Sequence, residues 1–311
     1  MRGDSKYRRG LTNPFSKVDF MQRLYIAANI KRKPEIEGML NGLLPWLHKL
    51  ADCVKVDHDW SRDLSRVKAD LMLVFGGDGS ILSVARRLNG NPIPVYGVNM
   101  GQLGFLADAS PTELKKTLPQ VLSGKYVVTQ RMMLKITVPD GIELMRGKKK
   151  RADGSGEFLA LNDAVLLRQP MASVMTVAVR VSGEEISRYK GDGLIVSTAT
   201  GSTGYSLSAG GPILSERLKA MIVTPVCPHT LANRPIVLDG AETLEICSVT
   251  RTDSPVDLVM DGQVSCRIKS GTKVTIQRAQ QEFNIVSTGN KGRYEIIRDK
   301  LHWAGWVKEK V

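Results

Sequence analysis

The chain has 311 residues, enough for two cores, and its 42% hydrophobic and 24% charged residues are ordinary for a soluble globular protein. Its net charge of +13 invites a nucleic-acid reading, but residues 1–18 carry +4 and residues 146–151 carry +5, so only +4 is spread over the rest. No apolar run reaches the roughly 20 residues of a membrane span, residues 1–17 lack an apolar signal core, and the four cysteines and four histidines show no zinc spacing, which points to a reducing, cytoplasmic setting.

The first 130 residues alternate strand and helix signals. Residues 24–30 form an apolar run of strand length, and 35–51 have helical periodicity interrupted at Pro45. Residues 70–75 read as a buried strand ending in glycines, 80–88 as a helix, 94–98 as a second buried strand and 112–122 as a helix with Pro111 at its start. Such alternation predicts an α/β domain with a mostly parallel sheet. From about residue 131 to 285 the pattern changes. Strand-like stretches at 126–138, 157–167, 174–182, 243–249, 256–260, 272–278 and 282–286 predict a β-rich second domain, with one helix near 215–220. The C-terminal stretch 286–311, with Leu301, Trp303 and Trp306, is expected to return to the first domain.

Four segments carry chemistry. The first is Gly76-Gly77-Asp78-Gly79-Ser80, at a predicted strand end and helix start. Glycines let a phosphate approach the backbone, and a helix N-terminus supplies free N–H groups. Read alone, Asp78 could also be a simple cap. The second runs from Gly97 to Asp108 after the next strand and places Phe105 in a glycine-rich loop, either as a buried anchor or as a wall for a base. In the third, the polar pair Asn162-Asp163 interrupts an apolar strand, where a ribose diol or plain solvent could satisfy it. The fourth, residues 190–212, is dense in hydroxyls and glycines and includes Lys190, Asp192, Thr203, Gly204, Tyr205 and Ser208.

Gly-Gly-Asp-Gly alone resembles several kinase families, including phosphofructokinases, lipid kinases and NAD kinases. All four segments in this order, together with Pro228-His229-Thr230-Leu231, Arg234-Pro235-Ile236-Val237 and Asp261-Gly262-Gln263, resemble the NAD kinase family from about residue 70 to 265. The resemblance implies an α/β N-terminal domain and a β-sandwich C-terminal domain. It also implies transfer of the γ-phosphoryl of ATP, or of polyphosphate, to the 2′-hydroxyl of the adenosine ribose of NAD, with Mg²⁺ accompanying the phosphates.

On that resemblance Asp78 is the catalytic acid–base residue, and Gly76, Gly77, Gly79 and Ser80 form the phosphate loop. Phe105, Asn162, Asp163, Lys190, Asp192, Thr203, Gly204, Tyr205, Ser208 and Gln263 bind NAD. A homodimer or homotetramer is implied, without membrane or specific nucleic-acid partners. Three positions depart from the family pattern: Asp163 where Glu is usual, Gly204 where Ala is usual, and Ala199 where Pro is usual. A same-superfamily kinase with a lipid or sugar acceptor and a non-catalytic binder using the basic segments are the competing readings.

Overall fold

The computed structural model describes residues 23–31, 33–51, 53–58, 60, 62–101, 104–139, 143–146, 156–169, 173–230, 232–249, 255–290 and 292–301. The basic tail, most of the 146–151 run, and both Trp303 and Trp306 lie outside these residues. The chain forms two compact units. The first draws on Met1–Val84, Asn91–Thr129 and Asn284–Val311, and the second on Ala85–Gly90 and Gln130–Phe283.

In chain order the first elements are β1 (Arg23–Ala28), α1 (Glu35–Leu50), β2 (Cys53–Asp57), β3 (Leu71–Gly76), α2 (Asp78–Leu88), β4 (Val95–Asn99) and α3 (Pro111–Leu122). There follow β5 (Val127–Val138), β6 (Glu143–Arg146), β7 (Gly156–Ala160), β8 (Asp163–Arg168), β9 (Met175–Val181), β10 (Glu184–Gly191), β11 (Gly193–Thr198) and the short α4 (Tyr205–Ser208). The last are β12 (Ala220–Val226), β13 (Ile236–Asp239), β14 (Thr243–Ser248), β15 (Val256–Met260), β16 (Val264–Ile268), β17 (Lys273–Ser287) and α5 (Arg293–Leu301).

The first unit is an open parallel sheet in the order β2-β1-β3-β4. Ile285, near the end of β17, adds a parallel contact to Val95. Every residue of β3 and β4 is buried, as a strand covered on both faces requires. The stripe Ile36, Leu40, Leu43 and Leu47 seats α1 on this core, and Leu114, Leu118 and Val121 do the same for α3. Helix α3 begins with a capping box in which the Ser110 hydroxyl and the Glu113 carboxylate each accept the other residue's backbone N–H, followed by Pro111 at the first position. The expected break at Pro45 does not occur, and α1 runs through it. Pro45 and Asn41, whose carbonyl loses its usual donor, are both exposed, so that carbonyl is open to solvent. The chain steps from β2 across β1 to β3, so the loops after β3 and β4 lie at the carboxyl edge, where such sheets bind ligands.

The second unit consists of two antiparallel sheets. One contains β10-β9-β14-β17, with β5 paired to β17 and β7 paired to β5. The other runs β13-β12-β11-β8-β15-β16-β6. A shared core joins them, with Leu134, Val177, Leu244 and Ile276 from the first and Leu166, Val196, Val223 and Leu258 from the second. The stretch expected as one strand over 157–167 is two strands separated by Leu161-Asn162. The stretches at 272–278 and 282–286 are the single strand β17. The helix expected near 215–220 is absent: Ser215 and Leu218 close a turn, and Ala220 begins β12. A helix of that length gains little by itself, whereas β12 gains full pairing to β11 and β13.

Candidate active site

In the first unit the glycine loop joins β3 to α2. A Cβ at Gly76 would collide with the Ser80 hydroxyl, so close packing excludes any larger residue there. At Gly77 a Cβ would meet nothing within 4 Å, so the protein itself does not fill that space. Helix α2 starts at Asp78, two residues earlier than expected, and a carboxylate in the first turn complements the positive helix end. The half-buried Asp78 is more than a cap of its own helix. Its Oδ2 accepts the Phe105 N–H at 2.8 Å and its Oδ1 the Leu106 N–H at 3.1 Å. Gly104 touches the carboxylate so closely that a Cβ there would overlap it. The β3 and β4 loops are thus tied through Asp78, and the Met100 N–H adds a 3.2 Å bond to the Gly76 carbonyl. The half-buried Phe105 ring has the Lys300 ammonium of α5 at 5.9 Å from its centroid. Asp108 fastens the returning chain, accepting bonds from the Ser287 and Thr288 hydroxyls and the Thr288 N–H.

In the second unit Asn162 and Asp163 occupy the turn into β8. Asn162 Oδ1 is buried and has no hydrogen-bond partner among the described residues, so a donor from outside the chain would satisfy it. The Asp163 carboxyl is buried, and that burial, with the nearby Asp261 charge, pushes its pKa up to about 7. Thr198 closes the turn from the β11 side: its hydroxyl donates to the Leu161 carbonyl at 2.6 Å and accepts the Gly201 N–H at 3.1 Å. A 3₁₀ turn over Gly201–Thr203 follows and leads into α4. A Cβ at Gly201 would collide with the Asn162 carbonyl, and one at Gly204 would stand 3.5 Å from the Asn162 Nδ2. Thr203 and Gly204 are half-buried, while Tyr205 and Ser208 are exposed at the two ends of α4. Asn162, Asp163 and residues 201–205 are therefore neighbours in this unit.

Lys190 and Asp192 are elsewhere. They flank the corner between β10 and β11, at the far end of the paired β8 and β11 from Asp163, because Gly193 faces Leu167 while Ser197 faces Asp163. Six residues of strand, about 20 Å, separate Asp192 from Thr198. Asp192 pairs with Arg168 at 2.6 Å, and the guanidinium holds its carboxyl below the usual carboxylate range. Gln263 belongs with the Asn162 turn, but the Arg86 guanidinium donates to its Oε1. Arg86 and its second partner Asp261 form part of this cluster; the sequence marks Asp261 only within the Asp261-Gly262-Gln263 resemblance, not as a site residue, and does not mark Arg86. Asp261 follows an apolar strand in an Asp-Gly pair, a pattern that otherwise signals only a turn, and Arg86 reads as an ordinary basic residue in the last turn of α2. Among the described residues no group of three or more His, Cys, Asp or Glu side chains could hold a metal, and no helix is long and apolar enough to cross a membrane. Cys227, Cys247 and Cys266 are free thiols.

A glycine loop at the carboxyl edge of a parallel sheet, an acid at the following helix start, and a hydroxyl-rich turn in an antiparallel unit describe a nucleotide-dependent phosphoryl transferase. The ATP-NAD kinase N-terminal domain matches residues 24–126, and the ATP-NAD kinase C-terminal domain matches residues 161–288. The NAD kinase of Geotalea daltonii is 37% identical over 293 residues, covering 91% of this chain and 99% of that protein. The NAD kinase of Hahella chejuensis is 41% identical over 235 residues, 76% of each chain. Among solved structures, an Archaeoglobus fulgidus NAD kinase in complex with ATP superposes with a TM-score of 0.68 at 26% identity, covering 90% of this chain and 99% of that one. The yeast NADH kinase complexed with NADH shares the fold, with a TM-score of 0.75 at 24% identity over 93% and 89% of the two chains. The chain belongs to the NAD kinase family, and its reaction is the phosphorylation of NAD to NADP with ATP as donor.

Proposed function

We propose that Asp78 is the catalytic residue of this reaction, orienting the 2′-hydroxyl of the NAD adenosine ribose and taking its proton as the γ-phosphoryl is transferred. The observation that carries this reading is the Asp78 carboxylate itself, which is fixed by the Phe105 and Leu106 amides and stays half-exposed beside the open face of Gly77. In this role the carboxylate orients the hydroxyl early and accepts the proton late. Gly76, Gly77, Gly79 and Ser80 shape the loop against the donor phosphates, and the amides at the start of α2 face the transferred charge. The 2′-oxygen forms its bond to the γ-phosphorus as the bond from that phosphorus to the β–γ bridging oxygen breaks, so ATP leaves as ADP and NAD as NADP.

The dinucleotide-binding set in the second unit is Asn162, Asp163, Thr203, Gly204, Tyr205 and Ser208, and Phe105 of the first unit is a further proposed NAD contact. The unpartnered Asn162 Oδ1 suits a ribose hydroxyl as donor, and the exposed Tyr205 ring suits a base. Lys190 and Asp192 would contact a different part of the ligand from Asn162, given their separation along β11. Mg²⁺ is expected to accompany the ATP phosphates, whose charge it would neutralise. The family resemblance also carries a homodimer or homotetramer, a cytoplasmic location and the use of polyphosphate as an alternative donor.

Asp78→Asn tests the central assignment. The variant is expected to lose about 10²–10⁴-fold in kcat and to keep its Kd for NAD in calorimetry. A variant that turns over at a near-normal rate would remove Asp78 from the chemistry.

A further inference from the structure

Three consecutive backbone amides in the Asn162 turn point at one distant carboxylate. Asp261 Oδ2 accepts the Leu161 N–H at 3.2 Å, while Oδ1 accepts the Asn162 N–H at 2.7 Å and the Asp163 N–H at 3.2 Å. The tie is reciprocal, since the Asp261 N–H donates to the Asp163 carbonyl at 3.0 Å. Successive amides turned to one side make an anion-binding concavity, and here the anion belongs to the chain itself. The Asp261 side chain is fully buried, and burial pushes its carboxyl up, against the pull of Arg86 and the turn amides. A buried carboxylate needs a charged partner, and the Arg86 guanidinium supplies it with one nitrogen while the other holds Gln263. The backbone also conforms: Asp261 and Gly262 both take positive φ, 49° and 64°, which aims the carboxylate back at the turn.

We propose that Asp261 and Arg86 are positioning residues for NAD: they fix the Asn162-Asp163 turn so that its side chains meet the dinucleotide. This rests on the reading of Asn162 and Asp163 as NAD-binding. Gln263 on this view supports Arg86 and is not primarily a ligand contact. Neither Asp261 nor Arg86 touches the reacting atoms, so their loss acts on NAD binding and spares the donor. Arg86 lies about two helical turns after Asp78 on α2, so the helix that opens with the catalytic acid also carries the counter-charge of the turn.

The test uses full-length Asp261→Asn, Arg86→Met, the double variant and Asn162→Ala, with Kd for NAD by calorimetry, KM for NAD and for ATP, kcat and melting temperature. Asn162→Ala and Asp261→Asn are each expected to weaken NAD about tenfold or more, the effect of leaving buried polar groups unpaired, with the KM for ATP within about twofold of wild type. The double variant is expected to bind NAD no worse than the weaker single variant, because both changes break one network. If Asp261→Asn does not fold beside an unpaired Arg86, the double variant, which lacks both charges, gives the same reading. Wild-type NAD affinity in folded Asp261 variants, with Asn162→Ala impaired, overturns the positioning role. A lower melting temperature with equal losses toward NAD and ATP overturns it too, since that describes a structural bond only. Wild-type affinity in Asn162→Ala removes the underlying assignment of the turn.

Discussion

Asp78 and Asp261 use the same bond in opposite ways. Each accepts backbone N–H groups from a loop distant in sequence: Asp78 those of Phe105 and Leu106, Asp261 those of Leu161, Asn162 and Asp163. Asp78 is half-exposed and forms no ion pair among the described residues, which leaves room for a substrate hydroxyl. Asp261 is sealed and matched by Arg86. If the proposed assignments hold, amide contacts do not by themselves mark a catalytic acid. On the proposed assignment, burial together with a counter-charge separates Asp261 from Asp78.

The Asp78→Asn variant is the largest test of that contrast. Its amide can accept only one of the two loop N–H groups, so a stability loss of about 1 kcal/mol should accompany the much larger loss of kcat. If the stability loss dominated instead, Asp78 would belong with Asp261 as scaffold. Gly104→Ala approaches the same point from the other side. Its Cβ would overlap the Asp78 carboxylate, which must then swing away from the Phe105 and Leu106 amides. Overpacking of this kind costs about 1–3 kcal/mol, and kcat should fall with it while NAD still binds. Unchanged turnover would mean that the carboxylate needs no fixed orientation.

The glycine loop was legible because its information is local: an apolar run buried on both faces, paired glycines, then an acid at a helix start. The hydroxyl-rich segment was legible for the same reason, since Leu194 to Val196 anchor it within the fully buried β11. Asp261 and Arg86 were not, because their partners are about a hundred residues or more away and no periodicity signals a bond between turns. Asn162 looked like an interruption of one strand, and only the pairing of β8 with β15 and the Asp261 contacts show that the chain turns there. Lys190 and Asp192 share a motif with Thr203 in the sequence, yet a straight strand carries the two ends apart. The helix expected near 215–220 failed because strand pairing overrode a weak local preference.

Asp163 sharpens the comparison through pH. Its carboxyl is pushed up to about 7, first by burial and then by the Asp261 charge, from an ordinary value of 3.8. A raised carboxyl favours the protonated folded state, so this contribution is complete below about pH 4 and is lost as pH rises through 7. Asp163→Asn keeps the shape without the ionisation. It should therefore gain stability relative to wild type between pH 4 and 7, by on the order of a few kcal/mol, and hold that gain above. Thermal melts of the two proteins across this range check it, and parallel curves would show that folding does not raise the Asp163 carboxyl, by burial or by the Asp261 charge.

The smallest expected effect is at Gly204, where the family usually has alanine. An alanine Cβ there would stand 3.2 Å from the Gly201 carbonyl and 3.5 Å from the Asn162 Nδ2. The first contact is tight, and the carbonyl is not free to retreat. It already accepts the Gly204 N–H at 2.8 Å, and Gly201 itself is pressed against the Asn162 carbonyl. Reduced freedom of the unfolded chain would favour alanine by about 0.4–1 kcal/mol, so the net destabilisation should stay under about 1 kcal/mol. The strained contact is with the Gly201 carbonyl, which packs against the Asn162 turn, so any shift passes to that turn and KM for NAD should rise about two- to threefold, with kcat unchanged. A lower KM for NAD in Gly204→Ala would mean that the Asn162 turn yields to its neighbours, and that Asp261 holds it less firmly than its three amide bonds imply.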